Sequence, residues 1–230
     1  ADLQTVSKRL LFIKSEIKKG DKKAVIENEI LQRLEKTLTE GKLANNADLN
    51  EEELVILKPL CLLTAKPILY VLNKMSGGKN ISENDESWLK LMDFFKKTGS
   101  KYVVVDAAIE QELKDIEGEE KAKFREELGA KDDGINGLIR AGYELLDLIS
   151  YFTTGEDETR AWTIKRGWTA PLAGTAIHTD FKDKFIRAEV IFWKDLLDAG
   201  SYPKAREKGL VKTEGKEYIV KDGDVIEFKI

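Results

Sequence analysis

The sequence has little of several residue types on which whole classes of site depend. Its 230 residues include one cysteine, one histidine, two methionines and four prolines. A single cysteine cannot form a disulfide within the chain, and a single histidine excludes His-rich metal sites. Cys61 lies in the apolar run Leu-Cys-Leu-Leu, so we predict a buried, structural thiol and a cytoplasmic protein. We predict no metal ligands.

Long apolar runs are also absent. No stretch approaches the roughly 18 residues that a membrane-spanning helix needs, and the N-terminus does not resemble a signal peptide. We therefore expect no membrane partner. With 42% hydrophobic and 35% charged residues, the composition is typical of one large globular domain or of two to three small ones. The net charge of −4 gives no bulk indication of nucleic-acid binding.

The sequence contains no phosphate-binding P-loop. That loop requires a Gly-Lys pair followed by Ser or Thr, so that backbone N–H groups surround the phosphates and the hydroxyl meets Mg²⁺. Each of the three Gly-Lys pairs is followed by another residue type, in Gly41-Lys42-Leu43, Gly78-Lys79-Asn80 and Gly215-Lys216-Glu217. We therefore do not expect the chain alone to hold a triphosphate in the P-loop manner.

Residues 1–66 predict a helical coiled-coil arm. Two apolar stripes at helical spacing flank Gly20-Asp21. The stripes are Leu3, Val6, Leu10, Ile13 and Ile17, then Ile26, Ile30, Leu34 and Leu38. They predict two antiparallel helices zipped together. A third helix is expected after Asn50, with Glu53 completing a capping box.

Lysines cluster around the Gly20-Asp21 break. They are Lys14, Lys18, Lys19, Lys22 and Lys23. Such a cluster is typical of the solvated tip of a helical hairpin, and a contact to RNA or the ribosome is the alternative. Both interpretations stay open at this point.

Residues 67–148 alternate between strand and helix patterns. "PILYVLN" and "KYVVVDAA" predict fully buried strands, while "ESWLKLMDFFKK" and "GINGLIRAGYELLDLIS" predict helices. The pattern indicates a parallel sheet. Because two strands are too few to stand alone, we expect further strands from a segment that is not in the chain. Asn73 and Lys74 follow the first strand, at the edge where open α/β sheets bind ligands.

Residues 149–230 change in character. "RAWTIKRGWT" and "KFIRAEVIFW" alternate as strands do, with a turn at Arg166-Gly167. The final 21 residues predict two or three short strands with turns at Glu214-Gly215 and Asp222-Gly223. Helices are expected near "LAGTAIHTDF" and "SYPKAREKG". Together these elements predict a small mixed sheet wrapped on a helix, the β-grasp arrangement.

Five blocks of the sequence resemble a known family. They are "LLTAKPILYVLN", "AAIEQEL", "GLIRAGYELLDLISYFTTGEDETRAWTIKRG", "APLAGTAIHTDFKDKFIRAEVI" and "VKDGDVIEFKI", and in this order they resemble the YchF / Obg-like ATPase family. Its members consist of a P-loop nucleotidase domain interrupted by a coiled-coil arm and followed by a TGS domain of the β-grasp type.

The resemblance implies a multidomain α+β and α/β fold. The arm would span residues 1–66, the C-terminal half of the nucleotide-binding α/β domain 67–148, and the TGS domain 149–230. The first third of the family protein, with the P-loop, would lie outside this chain. ATP and Mg²⁺ are implied for the complete protein, with tight binding of neither expected for this chain.

The resemblance also indicates where a purine base would bind. In GTPases the Asn of an Asn-Lys-x-Asp motif contacts the purine edge, the Lys stem lies against the ring, and the Asp accepts two guanine donors. Asn73 and Lys74 match, but Ser76 replaces the acid, which disfavours guanine. The preference between ATP and GTP stays open. A second base loop, "VDAAIE", resembles the family's Ser-Ala-Lys stretch. The candidate base-binding residues are Asn73, Lys74, Met75, Asp106, Ala107 and Ala108.

Basic residues are candidates for RNA or ribosome contact. They are Lys18, Lys19, Lys22 and Lys23 at the hairpin tip, and Arg160, Lys165, Arg166 and His178 in the TGS-like region. For His178 we predict a structural or RNA-contacting role, oriented by Asp180, and we predict no catalytic residue. Ribosomal or transfer RNA would be the partner.

Two functions remain from the sequence. The chain is predicted to be a portion of a ribosome-associated ATPase, with the base-reading motif, the arm and the TGS domain but no phosphate loop, and to be inactive by itself. The alternative is an RNA- or ribosome-binding module without nucleotide chemistry.

Overall fold

The computed structural model describes residues 1–75, 78–116, 118–127, 134–155 and 158–230. They form a mixed fold of helices and strands with two sheets. Two compact units can be separated, residues 1–70 with 90–101 and residues 71–89 with 102–230. Over these ranges, no helix has the length and apolar character needed to cross a membrane.

A helical hairpin opens the first unit. Helix α1 (Asp2–Lys18) and helix α2 (Lys22–Thr39) pack against each other along their apolar sides. Their direction is antiparallel, since Ser7 Oγ donates to Glu35 Oε1 at 2.6 Å while Arg9 Nε donates to Glu27 Oε1 at 2.6 Å. The predicted pair of zipped helices is confirmed.

The apolar stripe predicted for α2 is partly wrong. Ile26 is 51% exposed, whereas Ala24, Leu31 and Leu34 are buried in the hairpin core. Ile26 lies about 200° around the helix from Ala24, so the two cannot share a face. Ala24 therefore lies on the buried face, together with Ile30 and Leu34 of the predicted stripe.

Helix α3 (Glu51–Leu57) begins as the sequence predicts. Asn50 Oδ1 accepts the Glu53 N–H at 2.9 Å, and the Asn50 N–H donates to Glu53 Oε2 at 3.0 Å. The capping box is therefore confirmed. A 3-10 turn at Lys58–Leu60 follows.

The predicted burial of Cys61 is wrong, because its side chain is exposed. The residue ends the 3-10 turn with a left-handed backbone, at φ 49°. This turn brings Leu62 into the core in its place. An apolar sequence neighbourhood was the only signal for burial, and it does not show which residue of the run faces inward.

The buried carboxylate of Asp2 connects α1 to the segment after the 3-10 turn. It accepts the N–H groups of Leu63 and Thr64 at 3.0 and 2.7 Å, and the Thr64 hydroxyl at 2.7 Å. Burial by itself would raise the pKa of this carboxyl, but the hydrogen bonds from Thr64 and Leu63 outweigh it and lower the pKa.

A pH dependence of stability follows for the first unit. Because the folded pKa of Asp2 lies below its ordinary value of 3.8, the stabilisation is present above that pH and is lost as the pH falls through the folded pKa. Asp2→Ala should lower the free energy of unfolding at neutral pH by about 2 kcal/mol. Urea unfolding at pH 7 and pH 3 measures both, and the variant should differ less from the parent at pH 3. An equal difference at both pH values would contradict this assignment.

Strands and helices alternate in the middle of the chain. They are β1 (Leu69–Asn73), α4 (Glu86–Thr98), β2 (Lys101–Val105), α5 (Ala107–Glu112), α6 (Gly118–Glu127) and α7 (Gly134–Leu145). Strands β1 and β2 form a two-stranded sheet. The prediction of fully buried strands is wrong here: Val71 is 47% exposed, and Val105 is the one buried residue of the two strands. A sheet of two strands has too few neighbours to cover both faces.

The helix predicted to run to residue 150 ends at Leu145 instead. Asp147 adopts a left-handed backbone at φ 53°, and strand β3 (Leu148–Thr154) begins directly after it. Apolar residues continued the helical pattern, but the β-branched and aromatic residues Ile149, Tyr151 and Phe152 fit the pleated sheet better.

The rest of the second unit forms a five-stranded mixed sheet with helices. Its elements are β4 (Thr159–Lys165), α8 (Ala170–Gly174), α9 (Asp180–Lys184), β5 (Arg187–Phe192), α10 (Trp193–Ala199), α11 (Tyr202–Glu207), β6 (Lys212–Glu214) and β7 (Asp224–Lys229). The strand order is β4-β3-β7-β5-β6, with β3 and β7 parallel and the other pairs antiparallel. Trp193 was predicted to end a strand, but it begins α10.

Both faces of this sheet are packed. One face carries a core cluster that joins the strands to α8. It contains Ile149, Tyr151 and Ile164 of the strands with Ala170 and Ala173 of α8. The opposite face carries a smaller cluster around Ile191, Ala199, Ala205 and Val225. The Tyr151 hydroxyl donates to the Ala173 carbonyl at 3.0 Å, which satisfies the one polar group of the buried ring. Burial raises the pKa of Tyr151, so this donor stays protonated.

Candidate base-binding and RNA-contact sites

The ends of β1 and β2 lie side by side. Asn73 is the last residue of β1, and its side-chain Oδ1 accepts the Ala107 N–H at 3.0 Å. One residue further, the Lys74 N–H donates to the Val105 carbonyl at 2.9 Å. The two loops that the sequence singles out are therefore connected directly, with Asn73 and Ala107 both exposed.

Asp106 has a different environment from the other candidates. Its buried carboxylate accepts the N–H groups of Ala108 and Ile109 at 3.1 and 3.2 Å and so caps helix α5. The carboxylate faces the backbone of its own helix. The capped helix start also includes Ala107, whose N–H donates to Asn73. Asp106 therefore stabilises the loop that Asn73 contacts. The Ala108 side chain is exposed beside it.

The loop after β1 is held by Asn80, a residue that the sequence reading missed. Asn80 Oδ1 accepts the Met75 N–H at 2.8 Å, and Asn80 Nδ2 donates to the Met75 carbonyl at 2.7 Å. Asn side chains commonly bind loop backbone in this way, which is the signal that could have found it. Met75 is exposed, and Ser76 lies outside the described residues.

The candidate residues at this edge carry groups that can contact a planar ring. They supply an amide, a lysine stem and exposed backbone, all of which suit a heterocyclic ring. In the described ranges, no three His, Cys, Asp or Glu side chains are grouped so as to hold a metal ion. The sequence also lacks the phosphate-binding loop, so we derive no hydrolytic step from this chain.

The tip of the helical hairpin, residues 14–23, is a basic surface. Lys18, Lys19, Lys22 and Lys23 are exposed, and within the described part of the chain none of them forms an ion pair. The neighbouring Asp21 carboxylate caps α2 by accepting the Lys23 N–H at 2.8 Å and, among the described residues, forms no ion pair with these lysines. Residues 14–23 carry five lysines against the carboxylates of Glu16 and Asp21, so the tip keeps a net positive charge.

A second group of cations lies along β4 and the turn after it. The Arg160 guanidinium carbon lies 4.3 Å from the centroid of the Trp162 ring, a cation–π contact. Lys165 is exposed, and Arg166 Nε lies 3.1 Å from Asp147 Oδ1. Arg160 and Lys165 are thus available for an external anion, whereas Arg166 already has a carboxylate partner.

His178 lies on the surface near Asp180, as expected from the sequence. Its Nδ1 accepts the Asp180 N–H at 3.2 Å and lies 3.5 Å from Asp180 Oδ1. The Asp180 carboxylate accepts a hydrogen bond from Lys184 Nζ at 2.6 Å, which lowers the pKa of Asp180. The backbone N–H of Asp180 therefore orients the imidazole, while the Asp180 carboxylate pairs with Lys184.

Comparisons with known proteins identify relatives of the chain. The family model YchF-GTPase_C, described as a protein of unknown function (DUF933), matches residues 148–230. The chain is 44% identical over 229 residues to "Ribosome-binding ATPase YchF" of Bacillus subtilis, covering 100% of this chain and 63% of that protein. "Obg-like ATPase 1" of Caenorhabditis elegans is 38% identical over 91% of this chain and 53% of its own length.

A solved structure shares the fold. The Schizosaccharomyces pombe YchF GTPase superposes with a TM-score of 0.82 at 30% identity, covering 99% of this chain and 62% of that one. The helical hairpin, the paired strand ends and the mixed sheet thus define the C-terminal portion of a YchF-type protein. The chain belongs to the YchF / Obg-like ATPase family. It spans somewhat less than two thirds of the length of the relatives it matches.

Proposed function

We propose that the chain is the portion of a cytoplasmic, ribosome-associated Obg-like ATPase that reads the nucleotide base. Residues 1–66 act as the coiled-coil arm, 67–148 as the C-terminal half of the nucleotide-binding domain, and 149–230 as the TGS domain. One observation carries the proposal: the hydrogen bond from the Ala107 N–H to Asn73 Oδ1, which joins two loops at the strand ends.

The hydrogen bond assigns a direction to the Asn73 amide. Because Oδ1 accepts from Ala107, the NH₂ group is the part of the side chain that can donate to a ring nitrogen of a purine. The Lys74 stem and Met75 would lie against the ring. ATP and Mg²⁺ belong to the complete family protein, in which the phosphate contacts come from other residues.

We expect the chain by itself to bind adenosine and ATP equally weakly, with dissociation constants near ~1 mM, and to hydrolyse neither ATP nor GTP. Base contacts alone must offset the loss of translational and rotational freedom on binding. Amide chemical shifts followed during titration measure this affinity, and the largest changes should occur at Lys74 and Ala107. A micromolar dissociation constant for ATP, measured by calorimetry, would contradict this prediction.

Two variants of Asn73 separate base binding from loop structure. Asn73→Asp keeps an oxygen for the Ala107 N–H but removes the NH₂ donor, so adenosine binding should be lost while the loop stays in place. Asn73→Ala removes both and should also shift the Ala107 amide signal in the free protein. If Asn73→Asp binds adenosine as the parent does, the amide is not the base contact.

The second candidate function is RNA or ribosome binding without nucleotide chemistry. The observation that favours it is the set of exposed, unpaired lysines at the hairpin tip. Several relatives are named ribosome-binding ATPases, which supports the ribosome as the partner. Ribosomal or transfer RNA is the contact we propose for the basic residues. The two candidates are compatible, because the tip and the strand ends are separate groups of residues.

A further inference from the structure

A cleft of about 360 Å³ opens in the first unit, between α2, α3 and the segments that flank α3. The buried side chains of Leu34, Leu57 and Leu62 contribute to its lining, and Leu54, which is 48% exposed, lies at its surface. Apart from two lysines, the lining consists of leucines, alanines and the thiol of Cys61. A volume above about 300 Å³ with apolar walls and few polar groups is typical of a small-molecule site.

Hydrogen bonds outside the cleft hold its walls in place. Thr64 Oγ1 accepts the Ala44 N–H at 3.0 Å, and the Thr64 N–H donates to the Asp2 carboxylate at 2.7 Å. Arg33 Nη1 donates to the Asp48 carbonyl at 2.9 Å and so connects α2 to the segment before α3. The segments before and after α3 are thereby tied to the helical hairpin. The cleft is therefore pre-formed, which lowers the cost of ordering it around a ligand.

The charged residues in the lining of the cleft are both lysines. Lys58 and Lys66 are exposed, and among the described residues neither side chain has an ion-pair partner. None of the described residues that line the cleft carries a carboxylate. The carboxylate of Glu53 in α3 is paired with Arg33 instead. The cleft thus combines apolar walls with two cations.

We propose that this cleft binds a free medium-chain aliphatic carboxylate, with the chain against the leucines and the carboxylate at Lys58 and Lys66. The apolar walls select an aliphatic body, because removing each CH₂ group from water is favourable. The lysines select a negative charge, because a cationic head group would be repelled. A hydrophilic anion would satisfy the lysines but would leave the leucines exposed to water.

Decanoate is the probe for this site, and Cys61 reports its binding. Cys61 is the one cysteine of the chain, is exposed and lines the cleft. Bound decanoate should slow alkylation of the thiol by iodoacetamide at least about fivefold at saturation, measured by intact mass, because the reaction requires access to the sulfur. Methyl NMR signals of Leu54 and Leu57 should shift over the same concentration range. Butyrate has the same head group and a much shorter chain, so it should bind at least about a hundredfold more weakly.

A charge-reversal variant tests the selection of a carboxylate. Lys58→Glu with Lys66→Glu should weaken decanoate binding at least about tenfold and strengthen binding of decyltrimethylammonium, which has the same chain and the opposite charge. The matched control, Lys194→Glu with Lys216→Glu, changes two exposed lysines outside the cleft and should bind both probes as the parent does. For each variant, the alkylation rate with a probe is compared with the rate of the same variant without it.

Ala65→Phe tests the cleft itself. Ala65 is an exposed lining residue, so a phenyl ring at this position should occupy part of the cleft and weaken decanoate binding at least about tenfold. The control, Ala161→Phe, adds the same ring to an exposed alanine of β4 and should bind decanoate as the parent does. Ala65→Phe changes no charge and leaves Asn73 and the tip lysines in place. Adenosine binding and ribosome co-sedimentation should therefore be unaffected, and the proposal depends on neither.

Four results would overturn the proposal. They are an alkylation rate that decanoate leaves unchanged, butyrate or decyltrimethylammonium that binds the parent as tightly as decanoate, Ala65→Phe that binds decanoate like the parent, and phosphatidylglycerol vesicles that protect Cys61 as decanoate does. Vesicles hold their acyl chains in a bilayer, so protection by them would assign the cleft to a lipid surface and not to a free carboxylate.

Discussion

Changing Lys18, Lys19, Lys22 and Lys23 together to serine is expected to weaken ribosome co-sedimentation at least about tenfold near 50 mM salt. The slope of log affinity against log salt should also become shallower by about three, because each lysine bound to phosphate releases close to one counterion. All four side chains are exposed, so the fold should be unchanged. Co-sedimentation across a salt series, with circular dichroism, measures both expectations.

The matched control removes the same charge elsewhere. Lys194, Lys204, Lys208 and Lys216 are also exposed, and their change to serine should leave the salt slope close to that of the parent. A third variant changes Arg160, Lys165 and Arg166 to serine and tests the second basic group. If neither the tip variant nor this third variant reduces co-sedimentation, the electrostatic contact is elsewhere or the chain does not bind ribosomes.

Local signals predicted the parts of the fold that depend on neighbouring residues. The capping box of Asn50 and Glu53 is of this kind, since its two hydrogen bonds join residues three apart. The turns at Gly167 and Gly223 are another, since both glycines adopt the positive φ that the turns require. Such elements are specified by a few adjacent residues, and the sequence reading identified them correctly.

Features that depend on distant residues were predicted less well. Ala24 is buried because α1 packs against that side of α2. The sequence predicted burial of the larger Ile26 instead, which is exposed. The first three residues of strand β3, 148–150, were predicted as helix because the partners of that strand, β4 and β7, come from later in the chain. In both cases tertiary packing overrides a local pattern that is itself reasonable.

The candidate base site also combines features set by adjacent residues with features set by distant ones. Asn73 could be predicted from its place after an apolar strand, but its bond to Ala107 depends on how β1 and β2 pair. The capping role of Asp106 had a readable signal, an Asp directly before an Ala-rich helix start. The motif resemblance led us to predict Asp106 as a base contact, and its position as a helix N-cap was not considered.

Asp224→Ala is expected to lower the free energy of unfolding of the second unit by about 3 kcal/mol. The Asp224 carboxylate is buried at the start of β7, where its Oδ2 accepts the Tyr218 hydroxyl at 2.7 Å and the Lys221 N–H at 2.8 Å. Removing it leaves two donors without their acceptor at the turn that leads into a central strand of the sheet. Thermal and urea unfolding followed by tryptophan fluorescence measure the loss.

Tyr218→Phe separates the two hydrogen bonds. Burial, together with the Asp224 carboxylate, raises the pKa of Tyr218, so the hydroxyl is protonated and can donate at neutral pH. This variant loses one donor and keeps the ring, so it should cost about 1 kcal/mol. In the double variant the losses should be less than additive, because the hydroxyl and the carboxylate share one bond. Full additivity would show that Asp224 acts through the turn at Lys221 alone, and a loss below ~1 kcal/mol for Asp224→Ala would contradict its role in fixing β7.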